Sequence, residues 1–88
     1  MGDVLVQLRI LPESVELDLK KLQDEVSEKI GKLCKINEIK TEEIGFGLSA
    51  LLYSIIVPDE EGKIDLVENA ISSVPGVSQV DTRDVTLI

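Results

Sequence analysis

Catalysis near neutral pH draws on a short set of side chains, and this 88-residue chain lacks most of them. It has no histidine and one cysteine, Cys34. The usual general base, the paired soft-metal ligands and the Cys–His or Ser–His–Asp arrangements are therefore missing. Carboxylates cluster at Asp59, Glu60 and Glu61, and again at Glu42 and Glu43. Such oxygen ligands suit a weakly held calcium or magnesium. Without EF-hand spacing they read as a solvated acidic turn and a solvated strand end. No Walker loop is present, and Gly45-Phe46-Gly47 lacks the spacing and following helix of a dinucleotide fingerprint. The residue set predicts no catalytic residue, no metal and no cofactor, and so a protein that works by contact.

The contact residue that stands out is Phe46, the sole phenylalanine, set between Gly45 and Gly47. Glycine has no Cβ and admits backbone conformations that other residues resist. An aromatic between two such hinges has two readings: a ring presented outward as a contact, or a ring folded inward to fill the core.

The elements that must position Phe46 follow from periodicity. Val4, Val6, Leu8 and Ile10 alternate with Gln7 and Arg9 and predict a strand over Asp3–Leu11, ended by Pro12-Glu13-Ser14. Asp18 is a candidate cap for a helix whose apolar stripe is Leu19, Leu22, Val26, Ile30 and Leu33. Gly31 weakens its last turn, and Cys34 packs near its end as a small hydrophobe. Cys34–Glu43 reads as a ragged, charged strand at a sheet edge, because Ile36 and Ile39 do not alternate strictly. Leu48–Val57 is the most apolar strand and the expected central one, stopped by Pro58 and the acidic turn at 59–62. Ile64, Val67, Ile71 and Val74 predict a second helix over Asp65–Val74, closed by Pro75-Gly76. A final strand over Val77–Ile88 is interrupted by Asp81, Arg83 and Asp84, where a bend fits.

The order β-α-β-β-α-β predicts an α+β, ferredoxin-like split βαβ sandwich. Its sheet is expected to be antiparallel with strand order 4-1-3-2 and both helices on one face. Length fits one domain over 1–88, and 43% apolar residues suffice for an aliphatic core. A net charge of −8 argues against direct nucleic-acid binding and favours a basic protein partner. One thiol fits a reducing compartment. With no signal-peptide pattern and no run long enough to span a bilayer, the expected location is the cytoplasm, without a membrane partner.

Several function classes share this fold, and fold alone does not choose among them. An RNA-recognition sheet needs stacking aromatics on its central strands, where only Tyr53 is available. A metallochaperone needs paired thiols. A phosphatase of this fold needs an early anion-binding loop, and Pro12-Glu13-Ser14-Val15-Glu16 carries the wrong charge for one. A small-molecule-sensing regulatory domain and a tethering module stay open.

Met1-Gly2-Asp3-Val4 opening a strand, then Leu11-Pro12-Glu13-Ser14, resembles the start of the archaeal translation elongation factor 1-beta family. Ile44-Gly45-Phe46-Gly47-Leu48-Ser49-Ala50-Leu51, Val57-Pro58-Asp59 and Val74-Pro75-Gly76-Val77 are similar to that family in the same order. The likeness extends to the exchange domain of the eukaryotic beta subunit and covers essentially the whole chain. It implies a ferredoxin-like guanine-nucleotide exchange factor whose partner is the GTPase elongation factor 1-alpha; the chain is expected to act as a monomer. It also implies that the loop around Phe46 and the C-terminal end of the last strand lie on the partner-binding side. The partner-binding residues expected on this basis are Gly45, Phe46, Gly47, Leu87 and Ile88. Arg83 is added as a candidate basic contact, against a plain reading as a surface strand residue. Eukaryotic relatives carry a lysine next to last, where this chain has Leu87, and lysines after the Gly-Phe-Gly block, where it has Ser49 and Ala50.

Overall fold

The computed structural model describes residues 2–88; Met1, part of the opening motif, lies outside them. The elements are β1 (Asp3–Pro12), α1 (Leu19–Ile30), β2 (Lys35–Gly45), β3 (Leu48–Pro58), α2 (Lys63–Ser72) and β4 (Val77–Leu87). They form one four-stranded sheet in the order β2-β3-β1-β4, with every neighbouring pair antiparallel. This is the ferredoxin-like architecture that the periodicity predicts. β1 and β3 are the central strands.

The alternation in β1 buries Val4, Val6, Leu8 and Ile10 against Leu51, Tyr53, Ile55 and Val57 of β3. Leu22, Val26 and Ile30 of α1 and Val67 and Ile71 of α2 close the core from one side. Each buried aliphatic side chain of this size contributes about 1.5–3 kcal/mol. Tyr53 is the only large ring in the core. Its hydroxyl donates to the Gln23 carbonyl at 2.8 Å and lies 2.8 Å from Ser27 Oγ, which ties β3 to α1. Burial is the main reason that its pKa is raised.

Asp18 caps α1 as expected, its carboxylate accepting from the N–H groups of Lys20 and Lys21. The helix stops at Ile30, sooner than the apolar stripe suggests, so Leu33 falls in the following turn and stays exposed. A Cβ on Gly31 would sit 2.9 Å from the Ser27 carbonyl, so only glycine closes this end without a shift. α2 begins two residues ahead of the expected Asp65, because Gly62 at φ +83 turns the chain directly into its first turn. Val74 is buried beyond the helix end rather than within it.

The irregular patterns of the edge strands have one cause. Ile36 pairs with Ile55 and Glu38 with Ser54, which leaves Asn37 as an extra residue. That bulge brings Ile36 and Ile39 to the same face. In β4 the register shifts at Ser78 and again at Arg83, so Val77 and Val80, then Thr82 and Val85, share a face at spacings of three. Bulges bend and twist edges and discourage stray pairing.

Candidate functional site

The β2–β3 connection is a two-residue hairpin. Gly45 pairs with Leu48, leaving Phe46 and Gly47 as the turn. Phe46 has φ +55 and Gly47 φ +78. Positive φ at both central positions is the signature of the type I′ turn, whose twist matches that of paired strands. Asparagine and glycine are the residues suited to it. Phe46 is the only non-glycine residue with positive φ among the described residues.

The ring is not in the core: Phe46 has 104% relative exposure, its side chain wholly in solvent. The outward reading of the sequence holds and the core-filling one does not. A two-residue turn leaves no length of chain to fold the ring back over the sheet. Ile44 beside it is also exposed, so the hairpin tip is apolar on a strongly acidic chain. No Cβ placed on Gly45 or Gly47 would meet any atom within 4 Å, so backbone conformation, not crowding, calls for glycine there. Gly45 has φ +124.

Leu87 and Ile88 lie elsewhere. Leu87 pairs with Val4, and Val4 pairs with Val57. Phe46 adjoins Leu48 at the opposite end of the same strand. Val57 lies nine positions beyond Leu48 along extended chain, about 30 Å, within a molecule 42 Å long. The sequence reading placed the hairpin and the end of the last strand on one binding side. The structure puts them at the two ends of the sheet, as two separate patches. The second patch consists of Val85, Leu87 and Ile88, with Leu87 71% exposed. All three of its residues are apolar.

Arg83 belongs to neither patch. It is the bulged residue of β4, on the helix-free face of the sheet, and its guanidinium donates to the Glu42 carboxylate of β2 at 3.3 Å. Nearby, Arg9 pairs with Asp81 at 3.2 Å. The Gln79 side-chain amide and then Arg9 hold the Asp81 carboxyl below the usual carboxylate range. Lys40 pairs with Glu38 at 3.4 Å. A groove of about 380 Å³ crosses this face, lined by Gln7, Lys40, Ser54, Arg83 and Asp84 among others. A second groove of about 430 Å³ lies between α1 and Val74-Pro75 and is rimmed by Glu25, Glu28, Lys29 and Lys32. No group of three metal-ligating side chains is brought together among the described residues. Cys34 is half-buried and donates to the Ile30 carbonyl, and burial raises its pKa to about 11, which disfavours the reactive thiolate. No helix among the described residues is long and apolar enough to cross a membrane.

The exposure of Phe46 and the Arg83–Glu42 pair were not fixed by periodicity. For the first, the flanking glycines marked a bend, and the two-residue turn fixed by the Gly45–Leu48 pairing decided the direction of the ring. The second had no sequence signal, since its partners are 41 residues apart on opposite edges.

The fold is an α+β, ferredoxin-like sheet with an aromatic bared on a tight turn. It is shared with the ACT domain from a GTP pyrophosphokinase of Chlorobium tepidum. That match has a TM-score of 0.69 at 21% identity and covers 92% of this chain and 99% of that one. The C-terminal domain of the MgtC protein from Mycobacterium tuberculosis matches with a TM-score of 0.67 at 18% identity, covering 93% and 87%. At these identities the likeness concerns the fold alone. Sequence resolves the family. Residues 5–88 match the EF-1 guanine nucleotide exchange domain. Elongation factor 1-beta of Thermoplasma acidophilum is 50% identical over 88 residues, covering all of both chains, and that of Thermoplasma volcanium 42% over the same span. Elongation factor 1-beta of Natronomonas pharaonis is 41% identical over 97% of each chain. The chain belongs to the EF-1 guanine nucleotide exchange domain family, and its role is nucleotide exchange in translation elongation.

Proposed function

We propose that residues 1–88 act as one monomeric exchange domain that accelerates GDP release from elongation factor 1-alpha, working by contact rather than by chemistry. The observation that carries this reading is Phe46, wholly exposed on a left-handed turn at the tip of a hairpin, in a chain of the exchange-domain family. An aromatic held on a rigid turn loses little freedom on binding and suits an anchor in an apolar pocket of a partner. Gly45 and Gly47 shape that turn. Leu87 and Ile88, about 30 Å away along the sheet, form a second contact. One rigid body thus holds the GTPase at two separated points.

The physics of exchange limits what these contacts must do. A nanomolar nucleotide complex is worth about −12 kcal/mol. Only a differential affinity shifts an equilibrium, so the factor must bind the nucleotide-free GTPase better than the loaded one. A thousandfold faster release requires about 4 kcal/mol off the dissociation barrier. Two hot-spot contacts that favour the open GTPase reach that size. The second patch is apolar, so it acts by packing against a moving segment and not by placing a cation near the nucleotide's magnesium. The net charge of −8 speeds encounter with a basic surface.

The test is release of labelled GDP from purified elongation factor 1-alpha, with and without this protein. The reading requires acceleration at micromolar protein; an unchanged rate would reject it. A tethering module would bind the GTPase and leave release unchanged. A ligand-sensing module would give heat on titration with amino acids and would not affect release.

A further inference from the structure

We propose that Arg83 is a positioning residue of the exchange site: tied to Glu42, it braces the outer strand of the Phe46 hairpin from the far edge of the sheet. This rests on the reading that the hairpin docks on the GTPase. β2 and β4 are the two edges of the sheet, with β3 and β1 between them. Three strand spacings of about 4.8 Å separate the edges, so both side chains must extend over the curled, helix-free face to meet.

Three observations make this contact a selective one. First, Arg83 is the residue left over at a β-bulge, with Asp84 paired to Gln7 and Thr82 to Leu8. A bulge re-aims a side chain, and here Arg83 and Asp84, adjacent in sequence, line the same groove. Second, the carboxylates nearest Arg83 in sequence are engaged. Asp81 accepts from Arg9 and Gln79, and Asp84 accepts from the Val85 N–H and the Thr86 hydroxyl. Third, the basic neighbour of Glu42 on its own strand, Lys40, pairs with Glu38. Among the described residues, Glu42 is the carboxylate that Arg83 reaches within hydrogen-bond distance. Glu42 pairs with Ala50, three residues before the turn glycine Gly45. Among the described residues β2 has β3 as its only strand partner, and it carries register shifts at Asn37 and Ile44. Among the hydrogen bonds and ion pairs of the described residues, the Arg83 link is the one that joins the hairpin end of β2 to an element other than β3. A hairpin held this way presents Phe46 in one orientation, which lowers the ordering cost of docking.

The experiment uses the full chain and four variants: Arg83→Gln, Glu42→Gln, both together, and the charge swap Arg83→Glu with Glu42→Arg. GDP release from elongation factor 1-alpha is followed as a function of factor concentration. Each single variant is expected to raise the half-saturating concentration by up to about fivefold, the ratio set by the ~1 kcal/mol that an exposed ion pair can carry, with the maximal rate unchanged. The double variant should be no worse than either single one, and the swap should return to within about twofold of the parent. Hydrogen exchange of the β2 amides paired with β3 between Thr41 and Gly45 is measured on the free proteins. It should quicken in the single variants and recover in the swap. Loss in Arg83→Gln without loss in Glu42→Gln, or failure of the swap to rescue, means that Arg83 meets the partner directly and overturns the brace. Unchanged amide exchange in both single variants also overturns it. If the parent protein does not accelerate release, the functional reading fails, and the amide data still decide whether the brace exists.

Discussion

Replacing Phe46 with asparagine separates the two roles an aromatic can have, because the structure gives them opposite signs. The ring is wholly exposed, so its removal opens no cavity. A buried phenylalanine truncated to a small residue costs about 3–5 kcal/mol; none of that cost applies here. The backbone term runs the other way. Phe46 sits at φ +55, a region that costs a non-glycine residue about 1–2 kcal/mol and that asparagine visits readily. Asn-Gly is moreover a favoured pair for the type I′ turn. Phe46→Asn should therefore stabilise the fold by about 0.5–1 kcal/mol. For a domain of this size that is a rise of roughly 2–8 °C in Tm. Exchange should move in the opposite sense. Loss of an aromatic anchor worth 2 kcal/mol or more lowers release at subsaturating factor by roughly thirtyfold. Thermal melting and labelled-GDP release on the same preparation supply both numbers. A fall in Tm of 10 °C or more would show the ring to be packed, and a stable variant with full activity would show it to be idle. Either result would refute the reasoning that joins strain, exposure and function at this position.

Three further outcomes follow from other parts of the structure. Tyr53→Phe removes the hydroxyl that joins β3 to α1 through Gln23 and Ser27, and should cost about 1–2 kcal/mol in urea unfolding while leaving exchange by the folded protein intact. The Cys34 thiol, raised to about 11 by burial, should react with a disulfide reagent at pH 8 about a hundredfold or more slower than a free thiol, since only the thiolate attacks. The Asp81 carboxyl is held below its ordinary range by Gln79 and Arg9. Its contribution is present above the unfolded-state value near pH 4 and lost as pH falls through the lowered folded value. The stability difference between the parent and Asp81→Asn should thus hold steady from pH 7 down to about pH 5 and close at more acid pH.

Much of the fold was legible because the central elements obey simple periods. Val4, Val6, Leu8 and Ile10 alternate against a central strand, and Leu22, Val26 and Ile30 recur at helical spacing, so order, topology and core follow. The edges were harder to read. Ile36 and Ile39, and then Val77 and Val80, break the two-residue period because Asn37 and Ser78 are bulged. A bulge is a property of paired strands, so one strand read alone shows the broken period but not its cause. Leu33 fitted the helical stripe and still lies outside α1, because the chain turns at Gly31. At the candidate site, the flanking glycines showed that Phe46 sits at a bend but not which way it points. That depended on the loop having two residues, hence on the Gly45–Leu48 pairing. The distance between Phe46 and Leu87 depended on register as well, and residue types alone carried no information on it.

The central claim is that this chain favours the nucleotide-free state of a GTPase. The measurement that tests it most directly is its affinity for elongation factor 1-alpha in two states, stripped of nucleotide and saturated with GDP. Linkage requires that the factor by which bound protein weakens GDP equals the ratio of these two constants. Binding to the stripped form should be tighter by about a thousandfold, equivalent to about 4 kcal/mol. Equal affinity for the two forms would contradict it, however tightly both are bound.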